Sequence, residues 1–305
     1  MIGIIILNYN SWDQTSECIK SIFDANLKLD FRIYLVDNNS SVPIPEYMKK
    51  YIKIDNLIYL QSKLNKGFAA GNNIGLREAY KDECEYFILS NNDVVIKKGV
   101  IEEIIEDLSN YEDVGIIGPR VVLPNGKMQE THLGCKMTLG GKYIYILRKT
   151  PLKRWSEGFL SNYIIDDNLK ESRYVYGVSG CFFGLSRKCL QDIGYLDENT
   201  FLYEEENILG VKMEEKGWKT IYNPTITILH KHGQSTKEKA FAYICQIESE
   251  IYYCKKYLHK KNFTIFPLYT IRMLRYIKQS LNSKDYRKNF IKCIIRTHYQ
   301  FRRKN

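Results

Sequence analysis

Three stretches of this 305-residue chain carry residue types that can do chemistry together. Asn91-Asn92-Asp93 sets a carboxylate just after an apolar run, where a hard divalent cation can meet it beside a diphosphate. About 110 residues later comes the acidic run Tyr203-Glu204-Glu205-Glu206-Asn207, followed by His230-Lys231-His232-Gly233-Gln234-Ser235. Each stretch is weak alone. An Asn-Asn-Asp turn is commonly structural, and acids at a helix start are favourable for the helix itself.

The elements that must position these groups are legible from periodicity. Short β-branched runs at 3–7, 31–36, 57–60, 86–90 and 114–117 read as strands. Helical patterns at 13–25, 70–80 and 100–108 alternate with them, the layout of a mostly parallel sheet flanked by helices in an α/β fold. Polar clusters follow four of these strands: Asn8-Tyr9-Asn10, Asp37-Asn38-Asn39-Ser40, Asn65-Lys66-Gly67 and Asn91-Asn92-Asp93. Ligands of open parallel sheets bind beyond the carboxyl ends of the strands, so four clusters on one edge predict a ligand site there. Beyond Arg120 the alternation weakens. Residues 121–172 read as loop-rich with a flexible segment over the site, 175–185 as a buried strand pair, and 219–229 as a final strand pair. Helices are expected at 188–194 and 205–216, and a helical pattern runs from Ala240 to the end with a break near Pro267.

Length and composition fit a globular protein of one large domain with an appendage or of two modest domains, and length alone does not choose between them: 44% of the residues are hydrophobic and 26% charged. The charge is lopsided. From Lys255 onward 15 Lys and Arg face a single acid, Asp285, giving +14, whereas the preceding 254 residues carry −4. A basic, aromatic-rich tail fits a polyanionic surface, and anionic lipid is favoured over nucleic acid because no nucleic-acid-binding motif accompanies the charge. The eight cysteines show no CxxC pair and read as reduced, mostly buried thiols of a cytoplasmic protein. The apolar start of the chain is too short for a signal peptide or a span, and no apolar run nears 18 residues, so the expectation is a protein that lies on the inner face of a membrane without crossing it.

In this order, the stretches 4–22 (IIILNYNSWDQTSECIKSI), 33–41 (IYLVDNNSS), 65–76 (NKGFAAGNNIGL), 87–96 (FILSNNDVVI), 115–126 (GIIGPRVVLPNG), 178–188 (VSGCFFGLSRK), 194–207 (GYLDENTFLYEEEN) and 229–236 (LHKHGQST) resemble family 2 glycosyltransferases of the GT-A fold. The likeness is greatest to the rhamnosyltransferase-like branch of bacterial polysaccharide synthesis and runs to about residue 255. It implies a Rossmann-like GT-A domain, with 1–120 as the nucleotide-sugar half, 121–239 as the acceptor and catalytic half, and 240–305 as a basic helical extension. It also implies inverting transfer from a nucleotide-diphosphate donor, dTDP-rhamnose or a UDP-hexose, to a lipid-linked glycan acceptor in surface glycan synthesis (capsule, O-antigen or cell-wall polysaccharide).

The resemblance assigns roles residue by residue. Asp37 would contact the donor's base or ribose, with Asn8 and Asn10 lining the same pocket. Gly67 would let the backbone approach the nucleotide, Asn72 and Asn73 would begin the following helix, and Asn65, Asn91 and Asn92 belong to the same donor edge. Asp93 and His230 would hold a divalent cation, Mn or Mg, the imidazole favouring Mn. His232 is expected at the surface or behind the site. The family pattern Tyr-x-Glu-Asp-x-Asp-Leu lays Glu205 on the Glu, Glu206 on the Asp and Ile208 on the last Asp. Glu206 is then the base and Glu205 orients the acceptor, with an exchange of the two roles left open.

Two other classes fall away because no G-x-G-x-x-G or other glycine-rich phosphate loop follows the first strand, as a dinucleotide-dependent oxidoreductase or a sugar nucleotidyltransferase would require. A third stands: Asn91, Glu206 and Ile208 depart from the strictest pattern, which fits a transferase-like scaffold without activity. Homo-oligomerisation is left open.

Overall fold

The structure, a computed structural model, describes every residue except 132, 149, 166–167, 232–237 and 304–305. The first part alternates as expected: β1 (Ile2–Asn8), α1 (Trp12–Asp24), β2 (Phe31–Asp37), α2 (Glu46–Ile52), β3 (Leu57–Gln61), α3 (Phe68–Lys81), β4 (Tyr86–Asn91), β5 (Val94–Val95), α4 (Val100–Asn110) and β6 (Val114–Val122). Then come α5 (Leu139–Leu147), α6 (Lys153–Leu160), β7 (Arg173–Val175), β8 (Phe182–Ser186), α7 (Arg187–Ile193), α8 (Glu205–Lys216) and β9 (Lys219–His230). Four helices close the chain: α9 (Lys239–Lys256), α10 (Asn262–Asn282), α11 (Lys284–Lys288) and α12 (Phe290–Arg302).

The sheet runs β3-β2-β1-β4-β8-β6-β9-β5, with β7 on β9. It is parallel through β3-β2-β1-β4; β8 is then inserted antiparallel between β4 and β6, and β6 pairs β9 in parallel. Strand β1 is buried on both faces, which is why it reads as an unbroken apolar run. Ile4 and Ile6 enter one core layer with Ile19 and Ile22 of α1, and Ile5 enters the other with Leu76 of α3.

Residues 121–172 are loop-rich as expected, with α5 and α6 set into them; three other expectations need correction. The glycine-interrupted stretch 175–185 is not a hairpin: β7 pairs β9, whereas β8 pairs β4 and β6. The stretch 219–229 is one strand, β9, whose register on β6 shifts between Asn223 and Thr227. Pro224 lies inside that shift and has no N–H for a ladder, so the pattern imitates two strands. The C-terminal helices break at 257–261 rather than at Pro267, which sits within α10. There the ring removes one hydrogen bond near the start of a 21-residue helix.

A third core joins the C-terminal helices to the rest. Leu139, Ile146, Ile208 and Val211 pack with Ile244, Ile247, Ile251, Leu268 and Tyr276, so apolar burial crosses the boundary drawn at residue 239. Ile208, which stands where the family pattern has an acid, is buried in this core.

Candidate functional site

The parallel register sets Asn8 beside Asp37 and Leu7 beside Asn91, so the polar clusters do share one sheet edge. Most of their side chains are occupied with one another. Asn8, fully buried, accepts from Thr15 Oγ1 at 2.9 Å and from Asn92 Nδ2 at 3.2 Å, and donates to Ser40 Oγ at 3.2 Å. Asn10 adopts φ of 56° and its Oδ1 accepts from the N–H groups of Ser41 and Val42. Asn65 Oδ1 accepts from Asn38 Nδ2 and from Gly67 N, 3.0 Å each. These residues build the edge. Asp37 accepts from Ser40 N at 3.1 Å and from Tyr59 O–H at 3.3 Å, and Asn91 is partly exposed at the end of β4.

Gly67 and the asparagines of α3 serve a different contact from the one expected. At φ of 98° a Cβ on Gly67 would lie 2.2 Å from the Phe201 carbonyl oxygen, and Phe68 N donates to that oxygen at 2.9 Å. Only glycine permits this approach. Helix α3 starts at Phe68, so Asn72 and Asn73 sit in its second turn rather than at its start. Asn72 donates to Phe68 O, and Asn73 joins Leu196 and Glu198. The strand-end loop is thereby anchored to the segment before the acidic run.

Asp93 and His230 meet because β5 pairs β9 with Val94 opposite His230. His230 Nε2 lies 3.1 Å from Asp93 Oδ1, both side chains are buried, and that oxygen has no well-formed hydrogen bond. Burial pushes the imidazole down, but Asp93 and Cys181 outweigh it and raise it to about 10. Two donors bound at right angles about 2.1 Å from one small cation stand about 3 Å apart, so the pair fits an edge of a divalent site. Among the described residues no third His, Cys, Asp or Glu completes a set. His232, Gly233 and Ser235 lie outside the described residues.

Gln129 connects this pair to the acidic run. His230 Nδ1 is 2.7 Å from Gln129 Oε1, and Gln129 Nε2 donates to Ser179 Oγ at 3.1 Å. The next residue, Gly180, donates its N–H to Glu206 Oε1 at 3.1 Å, and a Cβ there would lie 2.9 Å from that oxygen. A cleft of about 320 Å³ is lined by Gln129, Ser179, Glu206, Asn207, Lys142 and Arg272, among others. Glu206 therefore shares the cleft with Gln129, the residue that holds His230. Glu205 does not line the cleft; together with Glu206 it lines an apolar pocket beside Phe68, Val178 and Leu209, and its Oε1 is buried without a hydrogen bond. Burial raises both carboxyls, Glu205 further through the charge of Glu206, while the Gly180 N–H works against the rise at Glu206.

The run is held in a costly conformation. Tyr203 and Glu204 have φ of 74° and 69°, left-handed for two non-glycine residues in succession. Glu204 is fixed by a buried ion pair with Lys142 at 2.7 Å, and Ile208 N donates to its carbonyl. Across the cleft Arg272 of α10 forks onto Glu250 of α9 at 2.7 and 2.8 Å, again buried. Burial pushes Glu250 up, but Arg272 and Lys142 more than reverse it. Sequence reasoning missed Gln129, Lys142, Glu250 and Arg272. Glu250 and Arg272 signalled themselves only as charges at apolar-phase positions of the expected C-terminal helices; Lys142, in the stretch read as loop-rich, and Gln129 had no signal.

The family model of glycosyl transferase family 2 matches residues 3–194. The chain is 24% identical over 212 residues to an N-acetylglucosaminyl-diphospho-decaprenol L-rhamnosyltransferase of Mycobacterium tuberculosis, covering 67% of each. It is 29% identical over 208 residues to the low-salt glycan biosynthesis hexosyltransferase Agl10 of Haloferax volcanii, covering 67% of this chain and 59% of that one. Among solved structures, Staphylococcus aureus TarS 1–349 in complex with UDP-GlcNAc superposes with a TM-score of 0.56 at 14% identity, over 98% of this chain and 81% of TarS. The mannosyltransferase PcManGT of Pyrobaculum calidifontis, in complex with GDP-Man and Mn2+, gives 0.56 at 12% identity, over 98% and 86%. The shared architecture is the GT-A fold.

Proposed function

We propose a function from one premise: the chain belongs to glycosyl transferase family 2. It moves a sugar from a nucleotide-diphosphate donor onto a hydroxyl of a lipid-linked glycan, with inversion at the anomeric carbon, in the synthesis of a surface glycan. The rhamnosyltransferase and hexosyltransferase relatives favour dTDP-rhamnose or a UDP-hexose as donor. The observation that carries the reading is the path that begins at the Asp93–His230 contact and runs by hydrogen bonds through Gln129 and Ser179 to the loop that holds Glu206.

Asp37 and the neighbouring strand ends receive the nucleotide, and Asp93 and His230 would hold a divalent cation, Mn or Mg. When bound, such a cation offsets the charge of the departing diphosphate. Glu206 accepts the proton of the acceptor hydroxyl as its oxygen bonds to the anomeric carbon and the bond to the diphosphate breaks. The Gly180 N–H orients Glu206 toward the cleft that receives the acceptor. Glu205 keeps its proton in the apolar pocket, which fits a supporting role better than acceptor contact. The division at residues 120 and 239 then separates donor edge, catalytic cleft and a helical unit that closes the cleft through Glu250 and Arg272. Work on a lipid-linked acceptor calls for peripheral attachment to the inner face of the membrane, and no helix among the described residues is long and apolar enough to cross one.

The test is a panel of dTDP-rhamnose, UDP-glucose, UDP-N-acetylglucosamine and GDP-mannose, each with and without Mn2+, read by thermal shift and by release of nucleoside diphosphate. A bound donor raises the unfolding temperature by mass action, and slow release with water as acceptor identifies an enzyme. No stabilisation and no release from any donor would leave the scaffold reading instead.

A further inference from the structure

The basic tail divides in the folded chain. Arg272 and Arg296 are spent on ion pairs with Glu250 and Glu248, Lys255 donates to the carbonyls of Phe301 and Arg303, and Arg275 donates to Ile146 O. These cations bind the helices to one another. What remains outside is a different surface. On α10, Phe263, Phe266, Leu274, Ile277 and Leu281 are exposed, Phe263 by 73% and Leu281 by 71%. Their spacing of three, eight, three and four residues keeps them on one stripe, about 27 Å long. On α12, Ile291, Ile294 and Ile295 repeat the pattern, with Ile291 exposed by 71%.

The two stripes lie on one side of the molecule. Helix α10 buries Ile265, Leu268, Arg272 and Tyr276, and α12 buries Cys293 and Thr297, in each case the face opposite its stripe. The helices run antiparallel in contact, Tyr269 stacking on Phe301 at 5.1 Å and Tyr276 meeting Phe290 at 6.3 Å. Exposed Lys278, Lys284, Lys288 and Arg302 border or punctuate the stripes. The single acid of the segment, Asp285, is turned to the backbone N–H of Ala240 and to Asn289.

We propose that the outer faces of α10 and α12 form a docking surface for an anionic lipid bilayer, with α10 as the wall between bilayer and cleft. Apolar side chains left exposed among the described residues, rimmed by cations with the segment's one acid withdrawn, match the boundary between acyl chains and anionic headgroups. Because Arg272 lines the cleft from the inner face of α10, one helix diameter, about 10 Å, separates the membrane from the cleft. The proposal rests on the reading that the acceptor is lipid-linked, and gives that reading a direction of approach.

The test is co-sedimentation of the full chain with vesicles of phosphatidylcholine alone or of equal parts phosphatidylcholine and phosphatidylglycerol, at low and high salt. Pelleting is expected with the anionic vesicles, weakened by salt. The triple variant Leu281→Glu/Ile291→Glu/Ile295→Glu should lower the partition coefficient at least about tenfold, and Lys278→Glu/Lys284→Glu/Lys288→Glu should remove the preference for anionic lipid. Neither variant should change the unfolding temperature or release of nucleoside diphosphate in solution, which tests the proposed activity separately. Unchanged binding by the triple variant, or equal pelleting with both vesicles at both salts, overturns the proposal. So does a chain that fails to pellet but sediments as an oligomer that the triple variant dissociates, since the stripes would then be covered by a second copy.

Discussion

Gln129 Oε1 lies 2.7 Å from His230 Nδ1, so a residue from the loop after β6 orients the imidazole whose other nitrogen meets Asp93. An imidazole tied at Nδ1 presents Nε2 in a fixed direction, which is how supporting residues tune a metal ligand. Gln129→Leu is expected to weaken Mn2+-dependent binding of the nucleoside diphosphate by about 10–100-fold. Asp93→Ala should abolish the Mn2+ dependence with the fold intact. Calorimetry with and without Mn2+ reads both, and wild-type affinity in Asp93→Ala would move the cation elsewhere.

Glu206→Gln should bind donor as the wild type does and lose transfer by about 10²-fold or more, the scale of a missing general base. Glu205→Gln should keep most of its turnover, because Glu205 does not line the cleft. Since burial raises Glu206, the wild-type rate should climb with pH above the usual carboxylate range as the base ionises. Rate profiles of the three proteins decide the matter; a dead Glu205→Gln beside an active Glu206→Gln reverses the assignment.

Glu205 makes stability fall with pH. Its folded-state value is raised, by burial first and by the charge of Glu206 second. Below the ordinary carboxylate range it is protonated in both folded and unfolded chains and nothing is lost. As pH rises, the unfolded chain releases the proton first, so stability declines until the raised folded value is passed. Glu205→Gln should flatten this decline and raise the unfolding temperature at mildly alkaline pH, on the order of a few degrees. Parallel pH profiles of wild type and variant would argue against a buried, raised Glu205.

Arg272 and Glu250 form a buried fork between α9 and α10. Arg272→Met strands a buried carboxylate and should cost about 3–5 kcal/mol in denaturant unfolding. The double variant Arg272→Met/Glu250→Leu should recover most of that, because the destabilisation comes from the unpaired charge. A double variant as unstable as the single one would show that packing, not charge, holds these helices.

Much of the fold was written in local pattern. Apolar runs buried on both faces, as in β1, look alike in any context, and Asn and Asp after each run mark where strands end. The sequence therefore determined the alternating first half, the sheet edge that bears the polar clusters, the family, and Asp93 and His230 as partners. It could not tell which polar residues face a ligand and which hold the loops. Asn8, Asn10, Asn65, Asn72 and Asn73 look alike in sequence, and only the structure shows the hydrogen bonds by which each of them also holds the framework. Tertiary structure alone decided that Glu206 lines both the cleft and the apolar pocket while Glu205 lines the apolar pocket and not the cleft, since adjacent residues at a helix start point about 100° apart and the surroundings choose between them. It also decided the fate of the basic tail. Charge counted along a chain gives a total, but pairing depends on contacts between residues far apart in sequence, and those contacts put Arg272 inside and left Lys278 outside.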